Sequence, residues 1–176
     1  MFDLRTVRLA VGDHHEETHD VTIPAFTIGG VDYEAEPATL PVRFAVTRMR
    51  SGFVFALRFD VHLTGPCHRC LEPAHIHEAI RAEEYHAFNP DPGAEADMTC
   101  EYLDDDRVDT DRWASDAAVL SMPFQILCRE DCLGLCASCG ADLNAGPCDC
   151  VTHVEDARWA KLRELQVPSE ERGPAA

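Results

Sequence analysis

The stretch from Cys128 to Cys150, CREDCLGLCASCGADLNAGPCDC, constrains this chain more than any other, because it holds six of its nine cysteines. Within it, Cys136-Ala137-Ser138-Cys139-Gly140 has the form of a metal knuckle, in which two thiolates on a tight turn face one point. A glycine straight after the second ligand adopts positive φ at little steric cost, so backbone N–H groups can turn toward the sulfurs. Cys148 and Cys150 complete the pattern Cys-x2-Cys-x8-Cys-x-Cys. Four soft anionic ligands this close in sequence can surround a tetrahedral ion at about 2.3 Å with a small loop-closure cost. A disulfide framework would need an oxidising compartment, and buried structural cysteines do not usually cluster among Gly, Asp and Asn. The spacing points to zinc.

The compartment matters to that choice. The N-terminal MFDLRTVRLAVGDHHEE has no apolar run long enough for a signal-peptide core, and no later segment is apolar enough to span a bilayer. A reduced, cytoplasmic setting without membrane contact is expected, which favours metal over disulfides. With 176 residues, 45% of them apolar, the chain can form one domain with a real core plus a small appendage. Its 15 basic and 32 acidic residues give a formal net charge of −17. Such a surface is repelled by bare nucleic acid and attracted to basic proteins, unless its acidity serves only solubility.

Upstream, Val42, Phe44 and Val46 alternate with Arg43, Ala45 and Thr47. After a turn around Arg50-Ser51-Gly52, Phe53, Phe55, Leu57, Phe59, Val61 and Leu63 occupy every second position. Period two predicts an antiparallel hairpin with one buried face. The second strand runs into Cys67-His68-Arg69-Cys70, and a Cys-x2-Cys turn at a strand end is how zinc ribbons place a knuckle. A dithiol redox pair reads alike, but it normally sits at a helix start, where the helix N-terminus lowers the thiol pKa. After a long β-ribbon, metal is the preferred reading.

The remaining elements are read around this hairpin. Leu4 to Leu9 predicts a short strand, followed by a polar, solvated loop carrying His14, His15 and His19. Val21 to Ile28 and Val31 to Ala35 read as strands, and His75 to Phe88 as a strand returning from the knuckle, although its charges also suit an exposed helix. Asn89 to Ala96 reads as a linker. Met98 to Leu103 reads as a strand carrying Cys100, a core cysteine or a free thiol. Asp109 or Thr110 caps a helix through Trp113, Ala117 and Leu120 that Pro123 ends. A final helix is expected over Asp156 to Leu165. The expected fold is α+β: a mainly antiparallel β-sheet domain with two helices and a C-terminal cysteine-rich zinc-binding segment. Residues 1–125 form the β domain with a helix near 110–122, residues 126–167 the zinc-binding segment and final helix docked to it, and 168–176 a flexible tail.

Setting Cys100 aside leaves the close pairs 67/70, 128/132, 136/139 and 148/150. Loop-closure entropy joins Cys136 and Cys139 with Cys148 and Cys150. Cys67 and Cys70 then share a site with Cys128 and Cys132, clipping the hairpin end to the segment after the helix. One or two structural zinc ions are expected.

Pro66-Cys67-His68-Arg69-Cys70-Leu71-Glu72 resembles the C-x-R-C-L-E signature of the YceD-type large-ribosomal-RNA accumulation proteins. Cys128 to Gly140 resembles that family's C-x2-D-C-x-G-L-C-x2-C-G, and Asp142-Leu143-Asn144 with Cys148-Asp149-Cys150 resembles its D-L-N…C-x-C ending. The resemblance implies a role in producing or accumulating large-subunit ribosomal RNA during assembly, in a family assigned no catalytic activity. The expectation is a non-catalytic factor, structured by zinc, whose acidic surface engages a basic ribosomal protein or a large-subunit precursor particle. Contact with ribosomal RNA is assigned to Arg43, Arg48, Arg50 and Arg58, which lie on the hairpin with no acid among residues 42–58. The competing class is a dithiol redox or metal-dependent enzyme using Cys67 and Cys70. Complete sets of four thiolates would leave such an enzyme no open coordination position.

Overall fold

The alternating run Phe53 to Leu63 becomes the middle of a 15-residue strand, β6 (Gly52–Pro66), in a computed structural model that describes residues 1–90, 93 and 98–150. Its odd-numbered side chains point into the core, where Phe55, Leu57, Val61 and Leu63 have no exposed surface. Burying each such side chain stabilises the fold by about 1.5–3 kcal/mol. Along one edge, β7 (Pro73–Ala87) pairs antiparallel with β6 over its whole length, from Gly52↔Ala87 to Pro66↔Pro73. The other edge is shared. β5 (Thr39–Arg48) covers Phe53 to Arg58, and β4 (Val31–Ala35) takes over at Leu63 and Thr64. β2 (His14–Thr22) extends the sheet beyond β5, and β3 (Phe26–Ile28) pairs with β4.

A helix, α1 (Thr110–Ser121), contacts β2 and β7 and buries Trp113, Ala114, Ala117 and Ala118. Asp109 starts it, its side chain accepting the Arg112 N–H at 3.1 Å, and the helix ends at Met122 before Pro123. A small three-stranded sheet closes the core beside it, with β9 (Arg107–Val108) between β1 (Phe2–Asp3) and β8 (Leu103–Asp104). The chain divides into two compact units, Met1–Cys132 and Leu133–Ala176. All these elements belong to the first.

Several expectations are corrected. Leu4 to Leu9 is no strand: the Asp3 carboxylate accepts the Arg5 N–H at 3.0 Å and bends the chain into a 3-10 turn over Leu4–Thr6, with Leu4 buried. His14, His15 and His19 lie in β2 and not in a loop. Their strand pairs residue for residue with β5, from His14↔Thr47 to Thr22↔Thr39. Val21 to Ile28 is two strands, since β2 stops at Thr22 before Pro24. Met98 to Leu103 is mostly a turn, closed by Leu103 N–H to the Cys100 carbonyl at 3.2 Å. Asp105 and Asp106, at φ 44° and 60°, form a two-residue hairpin turn between β8 and β9. Such primed turns require positive φ, which Asp tolerates better than most residues.

The fold is thus mostly antiparallel β-sheet. Among the described residues it has one α-helix rather than two, because the second, expected over Asp156 to Leu165, lies outside them. Among the described residues no helix is long and apolar enough to cross a membrane.

Candidate metal centres

Because β6 and β7 are in register up to Pro66↔Pro73, the hairpin connection is only residues 67–72, and both Cys67 and Cys70 sit in it. The turn is built as a knuckle. Cys67 N–H donates to the Glu72 carbonyl at 2.7 Å, and Leu71 N–H donates to the Cys67 carbonyl at 3.0 Å. Leu71 takes φ 66°, the left-handed conformation a glycine would adopt at lower cost. The segment after α1 is fastened onto this turn: His68 N–H donates to the Ile126 carbonyl at 2.8 Å, and Arg69 Nη1 to the Cys132 carbonyl at 2.8 Å. The Cys70 and Cys128 sulfurs are then 3.5 Å apart, and those of Cys67 and Cys132 3.8 Å. Cys67, Cys70 and Cys132 are buried, whereas Cys128 is exposed.

The second group repeats the knuckle in the second unit. Gly140 N–H donates to the Cys136 carbonyl at 2.8 Å, Cys136 N–H to the Ala141 carbonyl at 2.8 Å, and Ser138 N–H to the Cys136 sulfur at 3.4 Å. Gly140 has φ 73°, close to that of Leu71 in the first knuckle. The Asp142-Leu143-Asn144 loop braces it. Asp142 Oδ1 accepts from the Asn144 backbone at 2.9 Å and its side-chain amide at 2.7 Å, while Asn144 Oδ1 accepts the Leu133 N–H at 2.8 Å. Asn144→Ala removes the last two of these bonds, so it should destabilise the loop by about 1–3 kcal/mol. A chelator competition assay should then find metal leaving this site faster than in the parent protein, with the first site unchanged.

Within each group, all four sulfurs lie within 4.8 Å of one another: Cys67, Cys70, Cys128 and Cys132 in one, Cys136, Cys139, Cys148 and Cys150 in the other. Their electrostatics fit a cation. Burial opposes ionisation of Cys67, yet backbone N–H groups of Cys128, Arg69 and Cys70 outweigh it and hold the pKa at about 6. Backbone N–H groups of Cys139 and Ser138 lower Cys136 to about 6. Burial, then hydrogen bonding to Cys70, Cys132 and Cys67, pushes Cys128 up to about 12. Cys150 is also pushed up to about 12, by its contact with Cys139 and then by burial. Each group therefore has one thiol prepared as an anion and another that resists ionising beside it. A divalent ion at the centre would reverse that resistance by attracting every sulfur. Either group can hold a metal ion. Cys100 belongs to neither; it is buried, with a pKa raised by burial.

The four arginines assigned to RNA are separated by the register. Arg43 and Arg58 face each other on the outer face of the sheet. Arg48 has the opposite parity, with its guanidinium carbon 4.9 Å from the Phe53 ring centroid and 4.1 Å from that of Phe88. Arg50 is exposed in the β5–β6 turn. The residue that joins Arg43 and Arg58 is Arg81, which pairs with Arg58 across β7. Sequence pattern leaves it unseen, because it becomes visible only when residues 73–87 are a strand in register with β6.

A family model described as large ribosomal RNA subunit accumulation protein YceD matches residues 55–166. An uncharacterized protein of Mycobacterium tuberculosis is 28% identical over 164 residues, covering 90% of this chain and 76% of its own. An uncharacterized protein of Mycobacterium leprae is 32% identical over 107 residues, 58% of this chain and 48% of its own. No solved structure matches.

Proposed function

The chain belongs to the family described as large ribosomal RNA subunit accumulation protein YceD, and from that premise we propose that it is a non-catalytic factor in assembly of the large ribosomal subunit, shaped by two structural zinc ions. The observation that carries the reading is the closure of eight cysteines into two groups of four, whose sulfurs lie within 4.8 Å of one another. Sets of four thiolates hold zinc tetrahedrally and leave no position open for a substrate, as structural sites do. Zinc in this role supplies folding energy and no reaction. Cys67, Cys70, Cys128 and Cys132 would hold one ion, and Cys136, Cys139, Cys148 and Cys150 the other.

The net charge of −17 supports a basic partner, and ribosomal proteins on a precursor particle are of that class. The dithiol alternative is weakened at Cys67 and Cys70, since their sulfurs are already gathered with two more cysteines. The test is sucrose-gradient fractionation of cells carrying a tagged copy, followed by elemental analysis of the purified protein. Migration with large-subunit precursors and two zinc ions per chain are expected. Protein that stays at the top of the gradient, or that carries no metal, overturns the proposal.

A further inference from the structure

Three cationic side chains stand in one row across the outer face of the sheet. Arg43 on β5 is directly opposite Arg58 on β6, and Arg58 is directly opposite Arg81 on β7. Neighbouring strands are about 4.8 Å apart, so the row crosses about 10 Å of surface. Like charges directly opposite one another on a sheet are destabilising, and nothing in the packing of this exposed face requires them. Arg43 lies 3.8 Å from Glu16, whereas Arg58 and Arg81 make no ion pair among the described residues. The nearest acid along β6, Asp60, is 3.3 Å from His77 instead. A shallow depression of about 600 Å³ runs along the row and is lined by Arg43, Arg58 and Arg81 together with Thr18, Ala79 and Asp60. A second, of about 290 Å³, lies beside it over Ala45 and Ala56 and is lined by Arg43 and Arg58 with the acids Glu16 and Glu83. Between the arginines the lining is small at Ala45, Ala56 and Ala79.

We infer that Arg43, Arg58 and Arg81 form a binding site for the phosphodiester backbone of RNA. This rests on the assembly-factor reading and names its RNA contact. Guanidinium groups match phosphate oxygens with two parallel N–H donors, so a row of them fits successive phosphates rather than a single point charge. A bound phosphate also turns the mutual repulsion of the row into attraction, which accounts for an arrangement that is unfavourable when empty. The remaining surface of this strongly acidic chain repels RNA, so contact is confined to the row. Wrong docking elsewhere is suppressed by the same charge. No base is read by such contacts; they set position and leave sequence recognition to other parts of the particle.

The test uses the full, metal-loaded chain and a fluorescein-labelled single-stranded RNA of mixed sequence, followed by anisotropy across a salt series. The double variant Arg58→Ala, Arg81→Ala loses no ion pair among the described residues. Its slope of log K against log salt should be shallower by about 1.4, equivalent to a difference of roughly sevenfold in salt response between 50 and 200 mM. Arg8→Ala with Arg107→Ala, both exposed and outside the row, is the control and should leave the slope unchanged. Without RNA, the Arg58/Arg81 variant should melt at the same temperature or about 1–4 °C higher, because a repulsion has been removed. Absence of binding by the parent protein overturns the inference. So does an equal loss in the control pair, or a melting temperature lowered by several degrees, which would make the row structural. Stronger displacement of the RNA by polyglutamate than by unlabelled RNA would assign the row to an acidic protein. If RNA binding fails while the protein still migrates with precursors, only this inference falls. If binding is lost in the variant but the parent never enters precursor fractions, the assembly reading falls and the phosphate site stands.

Discussion

Cys132→Ala should release one metal ion per chain and remove most of the stability of the first unit. Cys132 is 1% exposed, Cys67 0% and Cys70 5%, so an ion held by these three with Cys128 is shielded on most sides. A structural zinc contributes on the order of 10–16 kcal/mol in peptides, against about 5–15 kcal/mol for the net stability of a whole domain. The damage goes beyond one bond. Without the fourth ligand, the segment after α1 keeps to the β6–β7 turn through hydrogen bonds such as His68–Ile126, Arg69–Cys132 and the Cys128 N–H to the Cys67 sulfur. Three sulfurs, one of them with a pKa near 6, would remain crowded without a full complement of ligands for a cation. Denaturant titration followed by tryptophan fluorescence checks this through buried Trp113, and elemental analysis counts the metal. Two ions per chain with a parental midpoint would refute it.

Cys139→Ala should have an effect as severe but confined to the second unit. Among its described residues, 133–150, the buried ones are Gly134 and Cys136, so these described residues form no apolar core of their own. Over a stretch this short, a metal held by the four thiolates would take the place of a core. The variant should lose one ion and all slow amide exchange over residues 133–150, while β5, β6 and β7 keep their protection. Hydrogen exchange read by mass spectrometry distinguishes the two variants directly. Loss of protection across both units on Cys139→Ala would mean that their stabilities are not separable.

What was legible in the sequence follows from how local each signal is. The hairpin of β5 and β6 showed itself because every second residue is apolar from Val42 to Val46 and from Phe53 to Leu63, and period two is then unambiguous. The helix was marked at both ends, by Asp109 and by Pro123. The knuckles were marked by cysteine spacing, and the pairing of their halves followed from loop length alone. β2 was not legible. Its inward side chains His15, Glu17 and His19 are polar and only half-buried, so both faces look like surface, and it is a strand because β5 offers it a ladder. β7 was read as a strand over His75 to Phe88, with an exposed helix left open because Glu78 and Glu84 lie on the inner side among Ile76, Ile80 and Ala82. Arg48 shows how parity misleads near a turn. It has the same parity as Phe44 and Val46, and it spends its charge over two aromatic rings instead of in solvent.

The first knuckle, placed as the turn of a hairpin, gives the chain an order of events in time. Cys67 and Cys70 are brought together by the β6–β7 ribbon, whose pairings next to the turn, such as Pro66↔Pro73, are local, and local contacts form early. Cys128 is 58 residues further along than Cys70. At a synthesis rate of about 5–20 residues per second, that gap lasts about 3–12 s. For those seconds the nascent chain presents a folded half-site, two thiols in a braced turn, without the partners that complete it. A metal ion delivered then is captured loosely and locked only when Cys128 and Cys132 emerge. An oxidant arriving first would instead meet an open Cys-x2-Cys pair. The vulnerable moment of this protein is therefore its synthesis, before the second half of the chain has closed over the first.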